Sequence, residues 1–167
     1  SDIEETSETS EQSVPGTGLE GMGEDETKEQ DGETGVPAVY MTTDISSQGL
    51  MNIYQALSAF PSGKIAVKIS TGEPGSNYLR TDLIGELVQF LEGTIVECNT
   101  AYGGSRANTA MHYQVAEEHG YTAIADVDIM DEDGSMTLLV EGGDNLTENY
   151  VGAHFADYDY YVILSHF

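Results

Sequence analysis

Positive charge is what this sequence has least of: five Lys plus Arg stand against thirty Asp plus Glu, for a formal net charge of −25. Such a chain repels phosphate backbones and anionic lipid surfaces, which argues against nucleic acid as a partner. Cysteine is nearly absent. The lone Cys98 excludes an internal disulfide and any zinc site or iron–sulfur cluster built from several cysteines of this chain. No run approaches the roughly 18 apolar residues that a membrane span needs, so no membrane insertion is expected. The opening stretch, residues 1–36, is poor in apolar side chains. Ile3, Val14, Leu19 and Met22 are scattered through Glu, Ser, Thr and Gly and bury too little surface to offset the entropy of ordering. It reads as a disordered acidic tail. The first residue is Ser, so the chain reads as processed or cut from something longer. A tether of this composition suits the mature end of an exported or cell-surface lipoprotein, with a cytoplasmic location as the alternative.

What is present begins at Val36-Pro37, and residues 37–167 are read as one α/β domain. "AVYMTT" is a short strand candidate rich in β-formers. "SSQGLMNIYQALSAF" places Leu50, Ile53, Tyr54, Leu57 and Phe60 at helical spacing, with Ser46 or Ser47 able to cap. "KIAVKIST" predicts a second strand. "TDLIGELVQFLEG" predicts a helix whose stripe is Leu83, Ile84, Leu87, Val88 and Leu91, with Gly93 as the residue that ends it. "TIVEC" is a third strand, and "SRANTAMHYQVAEEHG" a third helix with Ala107, Met111 and Val115 stacked and Gly120 as stop. "TAIADVDI" is a fourth strand. "MTLLVEGG" and "NYVGAHF" form an excursion, read as a β-hairpin, before "YYVILSHF" returns as a buried strand. Strands alternating with helices of this length imply a mostly parallel, Rossmann-like sheet flanked by helices on both faces. The last strand has no helix after it to cover it, so the domain is expected to continue past Phe167.

In such sheets ligands bind beyond the carboxyl ends of the strands. The segments expected there are "STGEPGSNYLR", "NTAYGGSR", "DVDIMDEDG" and "SHF". The first two pair glycine turns with an arginine near the next helix start: Gly72, Gly75 and Arg80, then Gly103, Gly104 and Arg106. Helix N-termini with free N–H groups favour anions. The folded part holds four cations, Lys64, Lys68, Arg80 and Arg106, and three of them fall near these ends. The candidate ligand-binding residues are therefore Lys68, Ser70, Thr71, Gly72, Glu73, Gly75, Asn99, Thr100, Gly103, Gly104, Ser105, Arg106 and His166. The alternative is that Arg80 and Arg106 pair with nearby carboxylates. Neither loop carries a P-loop or a G-x-G-x-x-G fingerprint. Lys68 alternates with Val67 and Ile69, so it either snorkels off the sheet end or sits desolvated near the site.

The run "DVDIMDEDG" invites a divalent cation, with Asp126 and Asp128 as candidate ligands against a plain turn as the alternative. An EF-hand is excluded, because Gly134 at loop position six would put Ile129 at position one and Val140 at position twelve. His119 before Gly120 reads as a partner of the helix C-terminal dipole, and His112 has no metal-pairing residue at the next turn. No Ser-His-Asp or Cys-His arrangement can be placed by spacing, so no reaction is assigned.

Taken together, "KIAVKISTGEPGSNYLR", "GTIVECNTAYGGSR", "TAMHYQVAEEHG", "ADVDIMDEDG" and "VILSHF" resemble the uncharacterised iron–sulfur-centre proteins of the domain of unknown function 362 family, from about Pro37 to Phe167. The family's recurrent segments map onto Lys68 to Gly75, Glu97 to Arg106, Asp126 to Gly134 and Ser165 to Phe167. The resemblance implies an α/β fold and, beyond "SHF", a basic segment and often a four-iron module. No iron–sulfur cluster is expected within this chain. The function expected is binding of a small anionic molecule or a divalent metal at the strand ends. The alternatives are a redox accessory protein with its cluster module in a missing C-terminal part, and an exported, tethered binding module without catalysis.

Overall fold

The computed structural model describes residues 37–165. The acidic stretch 1–36 and His166 lie outside the described residues.

Helix α1 spans Ser47–Ala56. Ser46, extended at φ −135°, caps it by accepting the Gly49 N–H through its hydroxyl. Its inward residues are Gly49, Met51 and Tyr54. The expected stripe is corrected at its end, because the helix stops before Leu57 and leaves Phe60 almost fully exposed. The expected strand "AVYMTT" does not form. Residues 38–43 run without regular structure, with Val39 and Met41 solvent-exposed, because no sheet edge receives them.

Strand β1, Ile65–Lys68, is followed by helix α2, Thr81–Phe90, which buries Ile84, Leu87 and Val88. The residue that turns α2 off is Glu92, not Gly93. Glu92 takes the left-handed conformation at φ 50°, its N–H bonding Gln89 O, while the Gly93 N–H bonds Val88 O. Glycine is required at 93 for a different reason: a Cβ there would sit 2.7 Å from Val67 Cγ2 on β1.

Strand β2, Thr94–Glu97, leads to helix α3, Thr109–Glu118. Asn108 caps α3, its side chain accepting the Met111 N–H, and Gly120 at φ 83° ends it as expected. The buried face of α3 is not the expected Ala107, Met111 and Val115. It is His112, Val115 and Ala116, because the cap at Asn108 starts the helix later and leaves Ala107 and Met111 exposed. Strand β3 is short, Val127–Ile129, since Tyr121–Ala123 form a 3-10 turn instead of extended chain. The expected hairpin is present as antiparallel β4, Ser135–Leu139, and β5, Glu148–Gly152. A 3-10 segment, Ala153–Asp157, returns the chain to β6, Tyr160–Ile163.

The main sheet has the order β3-β2-β1-β6 with every neighbour parallel, an α/β fold as expected. All three helices contribute to the apolar cluster on one face, where Ile65, Val67, Ile69 and Ile95 meet Met51, Tyr54, Ile84, Leu87, Val88 and Ala116. Among the described residues no α-helix covers the opposite face. Ala66 and Val96 are covered there by Met130 and Tyr158, with Cys98 and Tyr161 alongside. β6 is an edge strand, and Ile163 is exposed, so the expectation of a buried last strand is also corrected. Among the described residues no helix is long and apolar enough to cross a membrane.

Candidate functional site

The strand order reverses direction at β1, since β2 and β3 lie on one side of it and β6 on the other. A crevice at the carboxyl ends of two strands that part in this way is the usual ligand position of an open parallel sheet. Lys68 is the last residue of β1, and Glu97 is the last of β2.

These two form an ion pair, Lys68 Nζ to Glu97 Oε1 at 2.7 Å, and the ammonium also donates to Ile69 O at 2.6 Å. Lys68 thus combines both sequence expectations: one N–H is tied to a buried carboxylate, and a third of the side chain still reaches solvent. Glu97 accepts in addition the backbone N–H groups of Thr71, at 3.1 Å, and Cys98, at 3.2 Å.

Arg106 holds the two glycine loops together. Its guanidinium donates Nε to Glu73 Oε1 at 3.0 Å, Nη1 to Ser70 Oγ at 3.2 Å and Nη2 to the Tyr102 hydroxyl at 2.7 Å, and Nη1 lies 3.6 Å from Glu97 Oε2. The Ser105 N–H meets the other Glu73 oxygen at 3.2 Å. Gly104 permits that approach, because a Cβ there would stand 3.1 Å from both carboxylate oxygens. Thr100 closes the loop by donating its N–H to Arg106 O and its hydroxyl to Tyr102 O. Pairing of Arg106 with carboxylates is therefore real, and it builds the loop walls. Arg80 is not brought to this cluster; exposed at the start of α2, it pairs with Asp82 at 3.4 Å.

A second arm runs through buried His112. Asn99 donates its side-chain amide to Asp131 and Thr109, which turns its carbonyl oxygen towards His112 Nδ1 at 3.4 Å. With the proton on Nδ1, His112 Nε2 accepts the Thr71 hydroxyl at 2.7 Å. Burial pushes the His112 pKa down, which keeps the ring neutral; Glu97 opposes the shift and Arg106 reinforces it. His119, stacked on Tyr78 at 3.6 Å, donates from Nδ1 to Thr71 O at 2.8 Å, so it serves the loop and not only the helix end. Gly72 and Gly75, at φ 75° and 79°, shape the turn that carries Glu73, and Gly103 and Gly75 are open to solvent.

Four polar or charged side chains are buried among the described residues: Thr71, Glu97, Arg106 and His112. All four belong to this one network. Buried polar groups are costly unless paired, so their concentration here marks the place where the fold departs from an apolar core.

Asp126 and Asp128 lie elsewhere. Asp126 precedes β3 at the amino end of the sheet and is exposed. Asp128 accepts the Tyr158 hydroxyl at 2.7 Å and pairs with His154 Nδ1 at 2.8 Å, whose Nε2 meets Asp133 at 3.0 Å. The hydrogen bonds to Asp128 and then Asp133 raise the His154 pKa to about 9. Among the described residues no group of three or more His, Cys, Asp or Glu side chains is arranged to hold a metal ion. The carboxylate that reaches the network is Asp131, which accepts the Asn99 N–H at 2.9 Å. It stands two residues past the end of β3, in the acidic run where the sequence reading singled out Asp126 and Asp128 instead. The inward turn of His112 was missed because the helix was read from Ser105 with its stripe through Met111, although Asn108, three residues before Met111, was an available cap signal.

Two cavities flank the sheet among the described residues. One of about 530 Å³ lies beside Ile65 at the start of β1, lined by Tyr54, Phe60, Pro61 and Phe90, at the opposite end of the strand from Lys68. The other, about 460 Å³, opens between the face without helices and strand β5, with Lys68 in its wall.

A family model described as Domain of unknown function (DUF362) matches residues 65–167. No curated protein and no solved structure matches the chain.

Proposed function

We propose, for a chain that belongs to the family described as Domain of unknown function (DUF362), that the domain binds a small anionic molecule at the carboxyl ends of β1 and β2. The observation that carries this reading is the convergence of Lys68, Arg106 and both glycine loops on one buried polar network at the carboxyl ends of β1 and β2. Lys68 is the cation that meets the ligand, since two of its three N–H donors are used internally and the group is part-exposed. Arg106 is already paired on several sides. Its Glu73 partner, on a loop with solvent access, is the carboxylate an incoming anion competes with. Ser70, Thr71, Asn99 and Ser105 hold the two walls in place.

Thermal unfolding of the intact chain against a panel of phosphate, sulfate and simple carboxylates tests the reading. The expected result is an upward shift of Tm with at least one anion, lost in Lys68→Met and enlarged in Glu73→Gln. No shift with any anion, or an equal shift in Lys68→Met, would contradict it.

A further inference from the structure

We infer that the occupant of this site is a planar aromatic monocarboxylate, its ring held in the 460 Å³ cavity between the sheet and β5 and its carboxylate on Lys68. The inference rests on the reading of Lys68 as the anion anchor and adds the body of the ligand to it.

The cavity is apolar except at one point. Its wall combines Cys98, Met130, Tyr150, Phe155 and Tyr161 with Lys68, and among the described residues Lys68 is the one charged residue in it. Cys98 adds no charge, because burial pushes its thiol pKa up and the neighbouring Asp131 and Glu97 push it further. A ligand that matches this wall carries one negative charge at one end and none elsewhere. Polyphosphates are disfavoured, since the Lys68 ammonium is already paired with Glu97 and a multiply charged group would meet that carboxylate.

Shape argues for a flat body. Phe155 and Tyr161 are stacked, with centroids 4.8 Å apart and planes 20° from parallel, and Tyr158 meets Tyr161 edge-on at 5.9 Å. Tyr161 spends its hydroxyl on Phe155 O at 2.8 Å, which fixes the ring and leaves it to act as an apolar surface. Sulfur atoms of Met130 and Cys98 add the polarizable contacts that aromatic rings favour. Most small-molecule sites combine an apolar cavity of about 300–1,000 Å³ with a few convergent polar groups, and this cavity has that form. Its place at the carboxyl ends of β1 and β6 is where the strand order reverses.

The test is titration calorimetry of the intact chain with 2-naphthoate, decanoate, 2-naphthalenemethanol and inorganic phosphate. The expected result is that naphthoate binds about tenfold or more tighter than each of the others, a difference of about 1.4 kcal/mol or more. Val151→Trp, which fills the cavity from β5, is expected to abolish naphthoate binding while leaving the response to phosphate intact. Lys68→Met is expected to weaken naphthoate to the level of the neutral alcohol. If phosphate binds wild type but naphthoate gains nothing over it, or if Val151→Trp leaves naphthoate unaffected, the inference is overturned and anion binding at the strand ends still stands. If decanoate equals naphthoate, the aromatic assignment fails. If Lys68→Met binds naphthoate as well as wild type does, the anchor itself is wrong and both readings fall. Unfolding curves of both variants, matched to wild type, exclude misfolding as the cause of any loss.

Discussion

The two faces of the sheet are built differently. On the helix side, Ile65, Val67, Ile69 and Ile95 pack against the inward stripes of α1 and α2 and Ala116 of α3, a continuous apolar core. On the other side, Ala66 and Val96 are met by only two buried residues, Met130 and Tyr158, and the space beyond them stays open beneath β5. The same four strands thus serve stability on one face and leave an open cavity on the other. The polar network at the carboxyl end joins them: Glu97 reaches the helix-side loops through Thr71 and Arg106 and the cavity side through Lys68.

The sharpest break of this comparison is at that joint. Arg106→Ala leaves buried Glu97 and half-buried Glu73 without their guanidinium and should cost about 3–5 kcal/mol by denaturant unfolding. Next, Leu87→Ala in the helix-side core should cost about 2–5 kcal/mol, whereas Tyr150→Ala on the cavity side should change the stability of the free protein by less than about 1 kcal/mol. Equal losses would show that the two faces do not differ as described. Gly93→Ala forces a methyl against Val67 and should cost about 1–3 kcal/mol.

The smallest effect concerns the attachment of the hairpin. His154, at the exit of β5, is raised from its ordinary 6.5 to about 9 by Asp128 and Asp133. Its contribution is complete below pH 6.5 and is lost as pH rises through 9, because the neutral ring keeps a single N–H for two carboxylates. Tm should therefore fall by about 2–5 °C between pH 7 and pH 10, and His154→Gln should flatten that slope.

The alternation of strands and helices was legible most clearly in α2, which repeats its apolar residues at the 3.6-residue period as Ile84, Leu87, Val88 and Leu91. The hairpin showed itself by the change of period at Met136. Lys68 and the two loops were found by their place after strands. What sequence concealed were effects of tertiary pairing. Residues 38–43 have strand composition and no partner edge, and the face of α3 was set by Asn108 and by the Thr71–His112 contact. The two-sided covering inferred from alternation failed because β1, β2 and β3 succeed one another in a single direction, which brings α2 and α3 to the same face. Arg106 could be placed near its loop by sequence, as could its neighbours Glu97 and Tyr102, but its partners Ser70 and Glu73 come from a loop more than thirty residues away that only the folded sheet brings to it.

The central claim, an anion site on Lys68, is tested most directly by titrating the isotope-labelled chain with 2-naphthoate and following amide and lysine side-chain resonances. The account predicts saturable changes at the Lys68 ammonium, at residues 68–73 and 97–106, and at Val151, Gly152 and Phe155. Changes confined to residues around Phe60 and Phe90, or none that saturate, would contradict it.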